Sequence, residues 1–514
     1  MSDNTEANKR IAKNTMLLYV RMGIMMIISF FTARITLEAL GVVDYGINNV
    51  VGGLVSMFSL ISSSLSSSVS RFITFGLGKG DKNELNTIFS TSVNIHIILS
   101  IVVVIAIETV GIWFLNNKMV IPAERLTAAH WVLQSSTVLF VVGLLSVPYN
   151  AAIIAHERMD VYAYFTLFDA FARLAIIFAI KYYGGDKLIL LAVISLIPPL
   201  IKQFYYWHYS KRNFEECTYH AIWDKRVFKE MFGFAGWNFF GNATYIANTQ
   251  GINMLINIFY GVTLNAARGI AVQLNSIVEQ FAGNFTAAIN PQITKSYAAK
   301  NYTRLNYLIK KTSKFNFFLM LLLVIPIILE CKTILSLWLG DSVPDHTVNF
   351  VILSLIRSLT IIMSNSLLTA ILATGNIKQY QIVIICTSIW VFILSFFTFR
   401  SGLPAESTYI IHIFIYILLV IIRIKYAKKL FNMDALSFTK EVVFKCLLVT
   451  LIASIIPLLI FYTVEPSITR ILFSIPITLL SSTIIIYFIG FDNNERRSII
   501  RIVSNKIRIL RTKK

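Results

Sequence analysis

"GVTLNAARGIAVQLNSIVEQFAGNFTAAINPQITKSYAAKNYTRLN" (Gly261–Asn306) has a counterpart 220 residues earlier: "GVVDYGINNVVGGLVSMFSLISSSLSSSVSRFITFGLGKGDKNELN" (Gly41–Asn86), aligned without a gap. Both begin Gly-Val, continue as a long small-and-polar segment, pass into a basic loop and reach Leu-Asn. Read at about 100° per residue, Arg268, Asn275, Glu279, Thr286 and Asn290 form one narrow stripe on an otherwise apolar helix. The counterparts are Asn48, Val55, Ser59, Ser66 and Ser70, four of them polar. A second match, offset by 218, pairs "IIAHERMDVY" (Ile153–Tyr162) with "ILATGNIKQY" (Ile371–Tyr380). A parallel repeat of this length predicts two lobes of six spans each.

The composition says why spans are the right unit. Of 514 residues 56% are hydrophobic and 14% charged, and the mean hydropathy is +0.69. Long, uncharged, non-alternating runs place the chain in the membrane class. Backbone groups in hydrocarbon must be satisfied internally, so such runs are helices. The fold expected is all-α and membrane-embedded, with about fourteen transmembrane helices. The lobes are 1–210 (spans one to six) and 211–430 (a polar linker, then spans seven to twelve). Spans thirteen and fourteen occupy 431–492, and 493–514 is a basic amphipathic tail lying on the membrane surface.

Lysine and arginine orient the chain. With the N-terminus in the cytoplasm, the inner loops and termini hold 33 of them and the outer loops seven. Both termini are therefore expected in the cytoplasm. This asymmetry accounts for most of the +20 charge, so no nucleic-acid partner is invoked. The four cysteines show no metal or redox spacing. There is no Walker loop, metal-binding His pair, acidic cluster or nucleophile elbow, and the longest outer loops, 116–126 and 340–346, are too short for a catalytic domain. The reading is a non-enzyme without a cofactor, driven by a gradient of H+ or Na+, by the membrane potential or by removal of its product.

Six basic residues fall inside spans: Arg21, Arg34, Arg173, Lys202, Arg268 and Arg357; the comparably deep acids are Asp169 and Glu279. A mid-bilayer arginine costs at least about 2.5–3.5 kcal/mol, which is tolerated where it faces a bundle interior or a wet cavity. A transporter cavity between the lobes, lined by the polar stripes, would supply that setting. Asn238 and Asn242 in span seven, one turn apart with Tyr245 and Thr249, add a similar line. The candidate substrate-binding residues are Arg21, Arg34, Arg173, Arg268, Arg357, Asn238, Asn242 and Asn275. Asp44, Asp169 and Glu279 are candidates for gating or coupling, with Glu279 pairing to a basic residue of the other lobe when the cavity is empty. The plainer alternatives are a self-contained Asp169–Arg173 ion pair one turn apart, pairing of Glu279 within its own lobe, and snorkelling of Arg21, Arg34, Lys202 or Arg268 to an interface.

Two six-helix lobes, two extra helices, "LGVVDYGINNVV" (Leu40–Val51) and "PYNAAIIAHERMD" (Pro148–Asp160) together resemble the polysaccharide-export, lipid-linked oligosaccharide flippases. These belong to the multidrug/oligosaccharidyl-lipid/polysaccharide exporter (MOP) superfamily, whose fold is MATE-like. The resemblance implies transfer of a polyprenyl-diphosphate-linked oligosaccharide repeat unit from the inner to the outer leaflet of a bacterial plasma membrane. It implies the lipid bilayer and a polysaccharide polymerase as partners. It further implies that Arg21 or Arg34, with Arg268, binds diphosphate, and that Asp44 helps gate the cavity. Two alternatives stand beside it: a cation-coupled multidrug exporter of the same fold, and a multi-span polysaccharide polymerase or ligase. Six deep basic residues against two acids favour an anionic cargo.

Overall fold

In the computed structural model the described residues are 2–497, except 57, 118, 120, 340–342 and 494. The tail expected to lie on the membrane falls almost wholly outside them. Among the described residues all regular secondary structure is helical. Among these residues nine helices are long and apolar enough to cross a membrane, or up to eleven if each of two bent pairs is one span. The protein is thus a multi-span, all-helical membrane protein.

Long apolar runs explain the helices, and glycine explains where they break. The first helix, Ser2–Ser56, leaves helical geometry at Gly41 (φ 76°, ψ 170°), and the longest, Lys225–Ala298, does so at Gly261 (φ 83°, ψ −175°). Both conformations belong essentially to glycine. They are 220 residues apart. Gly80 and Lys300, both left-handed, are separated by the same interval, and left-handed Glu157 and Gly375 by 218. The backbone therefore repeats at the spacings seen in the sequence.

The chain forms two compact units, and these cut across the two sequence halves. One comprises Met1–Ala243, Ala287–Asn301 and Leu372–Gln381; the other comprises Thr244–Thr286, Tyr302–Ile371 and Ile382–Lys514. In the first, helix Leu126–Ala155 is central, packed by Ser59–Lys79, Lys82–Ala106 and Ile197–Asn213. Its buried face is rich in Ala and Ser, which lets neighbours approach closely. Helix Met159–Lys181 packs along Ser2–Ser56. The linker after Asn213 is not loose. Asn86 Nδ2 donates to the carbonyls of Glu216 and Thr218, Asn94 Nδ2 donates to that of Ile222, and Glu216 and Cys217 are buried.

In the second unit Tyr302–Leu329 is central, contacted by Thr347–Ile362 and by the last two long helices, Lys445–Thr463 and Ile468–Ile485. Those two are fastened at both ends. At one end Arg470 and Glu330 form a buried ion pair at 2.7 Å; at the other Lys314 reaches Glu495 at 2.8 Å and Asp492 at 3.2 Å.

Candidate functional site

Of the polar stripe, Arg268 and Asn275 are buried, while Glu279, Thr286 and Asn290 are partly exposed. Arg268, on the Gly261–Ala298 part of its helix, is 4% exposed, so it does not snorkel. Its Nη1 donates to Asn253 Oδ1, and Nη2 lies 3.5 Å from the Thr249 carbonyl, both from the part of the same helix before Gly261. The glycine break is what folds these two segments against each other. Tyr409, Tyr245 and Arg357 lie close enough to act on the Arg268 guanidinium.

Arg357, on Thr347–Ile362, has no partner on its own helix and finds one across the unit. Its Nη2 lies 3.7 Å from Glu279 Oε1, and its guanidinium sits 6.0 and 5.9 Å from the ring centroids of Tyr409 and Tyr416. Ser358, the next residue, donates its hydroxyl to Glu279 Oε1 at 2.5 Å. Of the two readings of Glu279, pairing within its own lobe is the one seen in this structure. Its partners are Arg357 and Ser358 of the same unit, because the stripe turns toward Thr347–Ile362. The result is a cluster of two arginines and one glutamate, walled by tyrosines. His412 is buried on the same wall and bonds the Thr408 carbonyl. The Nε–H groups of both arginines are buried without a hydrogen-bond partner, as is Asn275 Oδ1. Arginine cannot shed its proton, so such donors call for an acceptor.

Comparison with known proteins follows the same line. No protein-family model matches the sequence. The chain is 19% identical over 319 residues to the uncharacterized membrane protein EpsK of Bacillus subtilis (strain 168), covering 61% of this chain and 62% of EpsK. The chain thus spans less than two thirds of that relative's length. Among solved structures it resembles MATE in the straight conformation (TM-score 0.71, 12% identity, 84% of this chain and 97% of the other). It resembles an outward-facing multidrug resistance MATE family transporter of the MOP superfamily (0.68, 13%, 82% and 95%). A third is a MOP superfamily transporter from Pyrococcus furiosus whose binding pocket is described as reversed in polarity (0.64, 12%, 84% and 97%).

The chain has a MATE-like fold. Within that MATE-like fold the remaining candidates fall into three places. Arg21 lies over the Tyr162 ring at 4.7 Å, in the first unit. Nearby on Met159–Lys181, Asp169 pairs with Arg173 at 3.4 Å and with Lys202 at 3.9 Å, while the Arg173 side chain is 59% exposed. The self-contained pair is present, and Lys202 joins it rather than only snorkelling. The Arg34 side chain lies outside those described. Asn238 is buried, and Asn242 Nδ2 reaches Ser64 Oγ at 3.4 Å. Both belong to the first unit, apart from Arg268 in the second. Thr286 accepts from Asn316 Nδ2 at 2.7 Å.

Asp44 sits in a three-way ion cluster that the sequence did not show. Arg125 Nε and Nη2 reach its two oxygens at 2.8 and 2.6 Å, and Nη1 reaches Asp186 at 2.7 Å. Asp186 also caps helix Lys187–Ile194 through the amides of Leu188 and Ile189. Arg125 holds the Asp186 carboxyl below the usual carboxylate range. Arg125 thus ties Asp44 of the first helix and Asp186 of a later connection to its own segment, all within one unit.

Proposed function

We propose that this protein is a flippase. It would move polyprenyl-diphosphate-linked oligosaccharide repeat units from the inner to the outer leaflet of a bacterial plasma membrane, by alternating access, for surface polysaccharide assembly. The observation that carries this reading is the Arg268–Arg357–Glu279 cluster: one buried arginine, a second whose side chain is 13% exposed, one carboxylate, and two buried Nε–H donors without acceptors. Its net charge is positive, so it attracts a diphosphate and repels a cationic drug. The Arg357–Glu279 contact of 3.7 Å is loose. A diphosphate offering bidentate, charge-assisted bonds to two planar guanidiniums would displace it, leaving Glu279 on Ser358. Tyrosines 245, 409 and 416 supply apolar faces with hydroxyl tips, suited to sugar rings.

The rest of the reading is consistent with that chemistry. EpsK is likewise a membrane protein, and the Pyrococcus furiosus transporter indicates that this fold accommodates reversed pocket polarity. We assign fourteen spans, six to each lobe with two appended, and place both termini in the cytoplasm from the lysine and arginine bias. Arg21, with Tyr162 near it, is a further candidate contact for an anionic group. Coupling would come from H+ or Na+, and a polysaccharide polymerase would consume the product.

The test is complementation of a flippase-deficient strain, scored for surface polysaccharide at matched protein levels. Arg268→Ala and Arg357→Ala should abolish export. Arg268→Lys should restore it partly, because a point charge replaces a planar fork. Full export by both alanine variants would end the proposal.

A further inference from the structure

The loop joining helices Leu126–Ala155 and Met159–Lys181 holds a glutamate whose side chain is 2% exposed and whose backbone is left-handed (φ 61°). That conformation is strained for a branched or charged side chain and persists where the surroundings over-determine it. The residue is Glu157, within the motif "AHERMD" (Ala155–Asp160). Its two carboxylate oxygens each accept from Gln292 Nε2 at 2.7 Å, and one accepts from Lys295 Nζ at 2.8 Å. Asn14 Nδ2 adds a bond to its carbonyl at 3.0 Å. Gln292 and Lys295 come from the second sequence half, yet their segment, Ala287–Asn301, belongs to the first compact unit.

The repeat places Gly375 where Glu157 stands, again left-handed (φ 78°). Here the partner comes from the first half. Arg71 Nε and Nη2 donate to the Ala373 carbonyl at 3.2 and 2.9 Å, and a Cβ at Gly375 would lie 2.4 Å from Arg71 Nη2. Each half's loop therefore grips the end of the other half's stripe helix. Between the two grips the helices touch. A Cβ at Gly78 would meet Ala298 Cβ at 2.7 Å and the Lys295 carbonyl at 2.9 Å, and the rings of Phe75 and Tyr297 lie 6.3 Å apart.

We propose that these two grips, Glu157 on Gln292 and Lys295, and Arg71 on Ala373, are the catches of a gate closing the cytoplasmic mouth. The inference rests on the transport reading above and assigns a role to loops that the substrate cluster does not use. A carboxylate this buried is tolerable only while paired. Parting the helices would need water at Glu157, so the catch holds in a dry seal and releases as water enters. Two related catches of different chemistry let each half of the repeat contribute one.

The experiment needs no glycolipid. In a Cys386→Ser background, whose remaining described cysteines are buried, Ser296→Cys places a thiol in the seal, where Ser296 is 6% exposed. A membrane-impermeant maleimide is applied to inside-out vesicles. Labelling should be slow in this parent. It should accelerate by about tenfold or more with Glu157→Gln, which removes the buried charge of the pair. Gly78→Val should accelerate it similarly by wedging the helices, and Arg71→Lys by losing the two-bond grip. The exchange Glu157→Lys with Lys295→Glu should return it toward the parent rate. An unchanged rate in Glu157→Gln and Gly78→Val would overturn the gate; if Glu157→Gln fails to insert, Gly78→Val and Arg71→Lys decide. Should labelling follow these variants while no lipid-linked glycan is moved, the gate stands and the substrate assignment falls.

Discussion

Replacing Arg470 by methionine removes one half of the most completely buried ion pair described, and its cost can be worked from the contacts. Arg470 and Glu330 side chains are 2% and 3% exposed. Two guanidinium nitrogens reach Glu330 Oε2 at 3.2 and 2.7 Å, a third reaches the Val464 carbonyl at 2.8 Å, and Ser474 donates to Glu330 Oε1 at 2.8 Å. Arg470→Met leaves a buried carboxylate with Ser474 alone. Breaking such a pair from one side costs about 3–5 kcal/mol, since the survivor is an uncompensated charge. At about 1.4 kcal/mol per factor of ten, that is roughly two to three and a half powers of ten in the unfolding equilibrium. Arg470→Met with Glu330→Met removes both charges and should recover most of the loss, because an apolar replacement of a buried pair is often near neutral. The assay is thermal unfolding in detergent of protein shown to insert normally. A single variant as stable as the parent, or a double variant no better than the single, would refute the argument.

Three further outcomes follow from other contacts. Arg173→Gln should be tolerated better than Asp169→Asn in a transport assay at matched expression, because Asp169 keeps Lys202 at 3.9 Å whereas Arg173 and Lys202 would share no acid. Gly261→Ala should destabilise by about 1–3 kcal/mol through backbone strain alone, since a Cβ there would meet no atom within 4 Å; unchanged thermal unfolding would contradict this. The folded carboxyl of Asp186 is depressed, mainly by Arg125. Its contribution is therefore present above the unfolded value of about 3.9 and is lost as pH falls through the lower folded value. The stability gap between parent and Arg125→Gln should accordingly stay constant near neutrality and narrow below about pH 4.

Much of this architecture was legible because it is local or periodic. Gly41 and Gly261 open matching stretches, and both prove to be helix breaks. The stripe from Arg268 to Glu279 is a property of one helix, so its angular coherence survives folding. The partner of Arg357 could not be read from its own helix, because the contact is made across the unit to Glu279. The small-and-polar stretch after Gly41 breaks where its composition shows no break. One helix ends at Ser56 and the next runs Ser59–Lys79, since Gly-Leu-Gly-Lys continues the helical turn that composition assigned to a loop. Glu157 was hidden in a polar loop motif, and only its left-handed backbone and burial set it apart. Asp44 looked like a gate by resemblance and stands in an ion cluster with Arg125 and Asp186, drawn from two distant loops.

The most direct measurement is transfer by the purified protein in proteoliposomes holding a short-chain polyprenyl-diphosphate oligosaccharide, with leaflet distribution read by an impermeant glycan-modifying enzyme. The account predicts that the parent protein moves this lipid, that it moves the monophosphate analogue far more slowly, and that Arg268→Ala and Arg357→Ala move neither. Equal transfer of diphosphate and monophosphate lipids, or parent-like transfer by both alanine variants, would contradict it.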